Sequence, residues 1–427
     1  MPPSKPDFLR LTLGPLLLMA VTPALGLLVW VVTIRHGGSV VDLVHSASVA
    51  SIARELPVPS AEAVAVMIGW IAAQYLLLRL LPGPEHLGPV TPAGDRPRYR
   101  LNGIAAWWVT HGGLVVAWFS GVKIGRLYDL WGPILATVTP AAFVVCLLLY
   151  AKGRLAPSGR DVTVTGNLLF DFFQGVELHP RLLGVSLKQW INCRVSMMGW
   201  SAAALCFAAK QAELTGSVSP AMAASVALQV AYLYKFFWWE DGYFGSLDIM
   251  HDRFGYYICW GVLAWVPSVY ALVDLFLVEH APATGYAAAS GIVALGLAAL
   301  WINYDADAQR LTFRRSNGTA KIWGKPAESV RAPNVTWDGQ RRENLLLLSG
   351  WWGVARHFHY TPELLLAFAW TLPCGFGVAL PWFYLLFLTI LLVDRAGRDD
   401  KRCAAKYGVV WDEYRRRVPW RIVPYLY

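Results

Sequence analysis

The sequence predicts an all-α, polytopic membrane protein of about ten transmembrane helices. Three observations lead there. Hydrophobic residues make up 56% of the 427-residue chain and charged ones only 15%, a balance outside that of soluble domains. Apolar runs of membrane length recur from end to end, and roughly 20 such residues let a helix cross the bilayer with its own backbone hydrogen bonds satisfied. Lys and Arg gather in alternate connecting segments, as the positive-inside rule requires.

In chain order the apolar runs lie near Leu11–Ile34, Ala63–Leu81, Ile104–Gly121, Leu130–Ala151, Val195–Ala212, Pro220–Trp239, Phe254–Leu277 and Tyr286–Tyr304. The first is too long for a cleavable signal and lacks a small-residue cleavage site, so it reads as a span. The last stretch, Leu364–Val393, is too long for one pass and contains Pro373, Gly375 and Gly377, so it reads as two helices meeting at a tight turn. The chain divides into an N-terminal transmembrane half, 1–217, and a C-terminal core, 218–427.

Loop charge sets the expected orientation. Basic residues crowd 96–100, 152–188, 310–342 and 395–421, whereas 213–219 and 279–285 carry none. With ten spans every crowded segment falls on one side, the cytoplasmic one, and the C-terminus with them. Arg35, Arg54, Lys123 and Arg126 fit that scheme less well. The formal charge of +9 is thereby loop charge, and nucleic acid is not needed to explain it. The loop Asp305–Asn344 has turn chemistry at Ser316-Asn317-Gly318 and Asp338-Gly339 and is expected to hold a small hairpin. Asn317 and Asn334 sit in N-x-T sequons, chance matches on a cytoplasmic loop. The six cysteines lie mostly inside apolar runs with no CxxC pair, which suits small buried hydrophobes.

Two stretches carry chemistry. In Phe236–Gly261, FFWWEDGYFGSLDIMHDRFGYYICWG, aromatic residues alternate with acids. That composition gives a flat apolar wall with a few fixed polar groups, suited to a planar lipid. At the C-terminal end, SGWWGVARHFHY places Trp351, Trp352, Arg356, His357 and His359 at the edge of a span. Beyond it Arg395, Asp399, Cys403 and Tyr407 follow at four-residue steps, so a helix gives them one gradually turning face. Asp248, His251 and Asp252, at i, i+3, i+4 spacing, could hold a metal, as could His357 with His359. The histidine pair alone is too few for a catalytic metal, which usually takes three protein ligands. The nine histidines are mostly scattered, unlike those of a di-iron site.

These blocks, with GNLLFDFFQGVELHPRLLGVSLKQW (Gly166–Trp190) and RDDKRCAAKYG followed by RVPWRIVPYLY, resemble the sterol reductase family that reduces Δ14, Δ7 or C24 double bonds. The resemblance covers most of the chain after about residue 80. It implies NADPH as cofactor, held in the C-terminal half on the cytoplasmic side without a Rossmann domain. No GxGxxG is present, which leaves arginine and lysine to hold the phosphates. Matching motifs imply cofactor contacts at Arg310, Arg314, Leu347, Trp352, His359, Tyr360, Asp399, Cys403, Ala404, Ala405, Lys406, Tyr407 and Tyr414.

Lysine is frequent in the family where this chain has Arg310, and asparagine where it has His359. The histidine, with the FFWWEDGY and HDRFGYYICWG blocks, points to the Δ7-reducing branch, hence to reduction of the C7=C8 bond of 5,7-diene sterols. A Δ14 reductase is the nearest alternative. A membrane methyltransferase of isoprenylated cysteine and a non-enzymatic sterol-binding protein are the more distant ones. Candidate proton donors are Glu240, Asp248 and Asp399, with Tyr407 as relay and Arg395 orienting Asp399. Trp238, Trp239, Tyr243 and Tyr257 are the expected sterol contacts. The partners implied are a sterol drawn from the bilayer and the surrounding lipids, with no obligate protein partner. The membrane implied is the endoplasmic reticulum in a eukaryote or the inner membrane in a bacterium.

Overall fold

The computed structural model describes residues 8–46, 48–335 and 341–427. The chain forms two compact units, Met1–Thr284 with Cys374–Pro381, and Gly285–Pro373 with Trp382–Tyr427. The division expected near residue 218 falls inside the first unit, because the helices Met198–Thr215 and Pro220–Trp238 pack on each other as an antiparallel pair.

Every expected apolar segment is helical. Among the described residues six helices are long and apolar enough to cross a membrane: Leu9–Arg35, Ala61–Leu80, Trp131–Leu155, Tyr256–His280, Tyr286–Arg315 and Leu380–Tyr407. Gly103–Phe119 is apolar but shorter. The protein is therefore a polytopic helical membrane protein, with six helices meeting that measure against the expected ten.

Local chemistry sets the helix ends in the first unit. Ser60 Oγ accepts the N–H of Ala63 and Ser219 Oγ that of Met222, with Pro220 preset for the first turn. Lys188–Met197 and Tyr256–Tyr270 wind more loosely, with i→i+5 bonding, and the second contains Pro267. A buried polar knot ties these elements together. Arg194 Nη1 lies 2.5 Å from Glu240 Oε1, both side chains being almost fully enclosed. Glu240 Oε2 also accepts the Gly103 N–H at 3.0 Å. Close by, the Lys188 ammonium donates to the carbonyls of Asp248, Ile249 and Asp252 at 2.6–2.9 Å. Three donors matched to three acceptors make that lysine tolerable without solvent.

In the second unit the helix Tyr286–Arg315 packs on Tyr360–Thr371, which packs on Phe383–Tyr407. The last apolar stretch thus folds as two helices, linked through short turns at Leu372–Cys374 and Leu380–Trp382. One expectation is corrected. Asp305–Arg315 is not loop but the continuation of the preceding helix, so Arg310 and Arg314 stand on a rigid element. Two hairpins follow, Lys321–Ile322 with Lys325–Pro326 and Ser329–Val335 with Arg341–Leu347. The expected Asp338-Gly339 turn lies outside the described residues.

Candidate functional site

The second unit gathers most of the C-terminal candidates around the turn Trp351–Tyr360. Gly350 opens that turn at φ 64, and a Cβ there would meet Gln309 Oε1 at 2.1 Å. Only glycine lets Gln309 reach the Trp351 N–H, at 3.1 Å. Trp351 is then fixed twice, its indole N–H on Asp305 at 2.7 Å and its ring stacked on Phe358 at 4.7 Å. Trp352 is buried with Phe313, Ile322 and Leu347, and its N–H donates to the Ala306 carbonyl at 2.7 Å. Leu347 is thus part of the floor under Trp352.

Above that floor lies a cationic and aromatic cluster. The Arg310 guanidinium sits 4.3 Å over the Trp352 ring and spends one donor on Asp307 at 3.2 Å. Arg314, one turn further along, is exposed and within electrostatic reach of Arg310, Tyr407, Asp399 and Cys403. His359 lies 5.1 Å from Trp352 and 4.2 Å from Tyr360, and Asn303 holds its carbonyl at 2.9 Å. His357 stacks on Tyr360 at 5.5 Å with planes 9° apart.

The predicted helix face is present on Phe383–Tyr407. Asp399 accepts from Arg402 and, at 3.8 Å, from Cys403 Sγ. Tyr407 Oη accepts the Asn344 amide at 2.8 Å. Gly408, at φ 54 and ψ −130, then breaks the helix so that Val409–Arg417 folds back. That return buries Trp411 and Tyr414 against Cys403, Ala404 and Tyr407. Tyr414 is therefore a packed wall, and burial pushes its phenol up. Ala405 and Lys406 face solvent, because five consecutive residues cannot share one helical face. Arg395 is half-buried on the same helix.

Sequence reasoning noted His357 without giving it a task. It is buried, its Nε2 has no hydrogen-bond partner, and it lies 3.8 Å from Asp399 Oδ2. Burial is the largest influence holding its imidazole down at about 4, so the ring is neutral near pH 7. Asn344, Gln309 and Asp305 were missed altogether, being ordinary polar residues in a charged stretch.

The remaining candidates belong to the first unit. Trp238 is exposed, and the Lys235 ammonium lies 5.5 Å over the Trp239 ring. Tyr243 packs on Phe236 at 4.7 Å and its hydroxyl accepts from Asn192, while Tyr257 lies 5.8 Å from Phe173. Asp248 is half-buried. Glu240 lies in the structural knot, where Arg194, the Gly103 N–H and Gln189 Nε2 all point at its two oxygens. Among the described residues no three His, Cys, Asp or Glu side chains converge as a metal site would need.

The donor set of the second unit suits a phosphorylated dinucleotide. Arg310 lies over an aromatic face, Arg314 is within electrostatic reach of it, and a buried imidazole nitrogen lacks a partner.

Comparison with known proteins shows the family. The model of the ergosterol biosynthesis ERG4/ERG24 family matches residues 29–427. The chain is similar to 7-dehydrocholesterol reductase of Arabidopsis thaliana, 42% identical over 415 residues and covering 96% of each chain. It is 36% identical over 384 residues to 7-dehydrocholesterol reductase of Xenopus laevis, covering 86% of this chain and 80% of the relative. It is also 36% identical over 420 residues to Delta(14)-sterol reductase of Methylotuvimicrobium alcaliphilum, covering 96% and 94%.

Proposed function

The chain belongs to the ergosterol biosynthesis ERG4/ERG24 family of sterol reductases, and on that premise we propose that it reduces the C7=C8 bond of 5,7-diene sterols with NADPH. The observation that carries the Δ7 choice is the 42% identity, over 96% of both chains, to a relative named for that reaction. His359, where the resemblance implies a histidine in the Δ7-reducing branch, supports it.

A ring alkene is a poor hydride acceptor, so a proton must reach it first or in concert. In a 5,7-diene, protonation at C8 leaves an allylic cation over C7, C6 and C5, which hydride can quench at C7. NADPH supplies that hydride when bound. Arg310 and Arg314 would hold its phosphates, and Trp352 and Tyr360 offer faces for its rings. Asp399, a candidate proton donor, would act here as an acceptor, a role supported by the hydrogen bonds both its oxygens take from its own helix. Tyr407 can hand on a proton, because the Asn344 amide occupies its oxygen and leaves its O–H to donate elsewhere. On the sterol side stand Trp238, Trp239, Tyr243, Tyr257 and Asp248, while Glu240, held by three donors, would serve structure rather than proton transfer. The charge distribution supports a cytoplasmic C-terminus, in the endoplasmic reticulum of a eukaryote or the inner membrane of a bacterium.

One experiment tests the reading. The protein is expressed in yeast with a blocked sterol pathway, and mass spectrometry identifies which double bond disappears. Loss of the Δ7 bond is expected. Loss of Δ14 alone would favour the second reading, which the 36% identity to a Δ14 enzyme motivates.

A further inference from the structure

Two adjacent residue pairs face each other in the second unit, Arg356 with Asp400 and His357 with Asp399, and they are bonded very differently. Arg356 Nε lies 3.5 Å from Asp400 Oδ1, and its Nη1 donates to the carbonyls of Val418 and Pro419 at 2.7 and 2.9 Å. Asp400 also accepts from Trp411 Nε1 at 3.1 Å and Arg421 Nη2 at 3.3 Å. Both side chains are buried.

The backbone repeats the pattern. The N–H groups of Arg356 and His357 donate to the carbonyls of Trp420 and Arg421 at 2.9 and 2.7 Å, and Thr361 Oγ1 donates to Ile422 O at 2.7 Å. The segment Val418–Tyr427 is itself closed into a loop. The N–H groups of Arg421 and Ile422 donate to Tyr427 O, and Arg421 Nη1 donates to Tyr427 Oη at 2.8 Å.

The neighbouring pair is tied less tightly. His357 Nε2 stands 3.8 Å from Asp399 Oδ2, beyond hydrogen-bond reach, and that nitrogen has no other hydrogen-bond partner among the described residues. Arg356 Nε also lacks a hydrogen bond, but Arg356 Nη1 and both oxygens of Asp400 are engaged. Asp399 and Asp400 follow each other on one helix, so whatever fixes the angular setting of Asp400 also fixes that of Asp399.

We propose that Asp400, Arg356 and the segment Val418–Tyr427 form a positioning clamp that holds His357 and Asp399 at the separation the cofactor site requires. In this role the clamp residues act through the turn and the helix they join. A site displaced by about 1 Å can lose two orders of magnitude in efficiency, so a clamp of this kind is felt at the chemistry. The inference rests on the NADPH reading above.

The test uses the full chain and two variants, Asp400→Asn and Tyr427→Phe, measured for NADPH binding by fluorescence, for KM and kcat, and for thermal unfolding. Asp400→Asn is expected to raise the NADPH KM on the order of tenfold while the sterol KM stays within about twofold. Tyr427→Phe removes only the Arg421–Tyr427 side-chain bond. It should shift the NADPH KM the same way by a smaller factor, with the unfolding temperature unchanged, and it decides the matter if Asp400→Asn does not fold. Lower unfolding temperature with NADPH affinity intact in both would overturn the clamp and leave a purely structural role. A wild type that binds no NADPH would overturn the cofactor reading and the clamp with it.

Discussion

The Arg310 guanidinium rests on the face of Trp352, 4.3 Å from its centroid, while the indole N–H of the same residue is spent on the Ala306 carbonyl. Trp352 is thus pinned at its edge and carries a cation on its face, an arrangement worth about 0.5–2 kcal/mol depending on exposure. Arg310 uses one donor on Asp307, which leaves most of its fork for an incoming anion.

Cofactor choice follows from the neighbouring arginine. Arg314→Ala should raise the NADPH requirement much more than the NADH requirement, by about 1.5–3 kcal/mol for a charge-assisted phosphate contact. Steady-state kinetics with both cofactors checks it, and equal losses would remove Arg314 from the 2′-phosphate site.

The buried pair Arg194–Glu240 gives a stability prediction. Arg194→Met or Glu240→Gln alone should cost about 3–5 kcal/mol, since each strands the opposite partner away from water. The double variant should cost less than the sum. Thermal unfolding in detergent measures the cycle, and strictly additive losses would show that the two residues do not act as a pair.

Acid should weaken the fold through His357 and His179. Burial is the main cause that holds them down at about 4 and about 3, against an ordinary histidine near 6.5. Between those values the unfolded chain binds more protons than the folded one, so stability falls as pH drops from about 6.5 towards 4. His357→Gln should flatten that fall. A variant whose stability tracks pH as steeply as the wild type would take His357 out of the account.

Substrate choice is tested at His359. C7 and C14 are both neighbours of C8, so a small displacement of the ring system changes which carbon is reduced, and reacting atoms must come within about 3–3.5 Å. His359→Asn should keep NADPH binding and lower turnover of 7-dehydrocholesterol, while the wild type leaves an 8,14-diene largely untouched. Efficient reduction of the 8,14-diene beside an inert 5,7-diene would replace Δ7 with Δ14.

Orientation is open to direct measurement. A reporter fused after Tyr427 should be cytoplasmic, and one inserted near Ala283 should lie across the membrane. Both on one side would mean a miscounted pass after Tyr286.

What the sequence made legible was periodic or compositional. Apolar runs became helices, and the four-residue spacing of Asp399, Cys403 and Tyr407 became one helical face. The helix through Asp305–Arg315 was hidden because its polar residues look like loop. Yet Ala306, Gln309 and Phe313 give it a buried stripe. Arg194 with Glu240, and Arg356 with Asp400, were invisible for another reason. Each pair joins residues more than forty positions apart, and no local pattern encodes such a meeting.

The adjacency of Asp399 and Asp400 bears on how this chain can change over time. A helix turns about 100° per residue, so deleting or inserting one residue between Phe383 and Ala396 would swing both carboxylates away from their opposite numbers at once. A seven-residue change restores the angular phase to within about 20°, though it alters the length of the span. Lineages descended from such a chain are therefore expected to vary freely in loop length and to conserve the residue count of this one helix. A census of insertions among relatives would read that asymmetry directly.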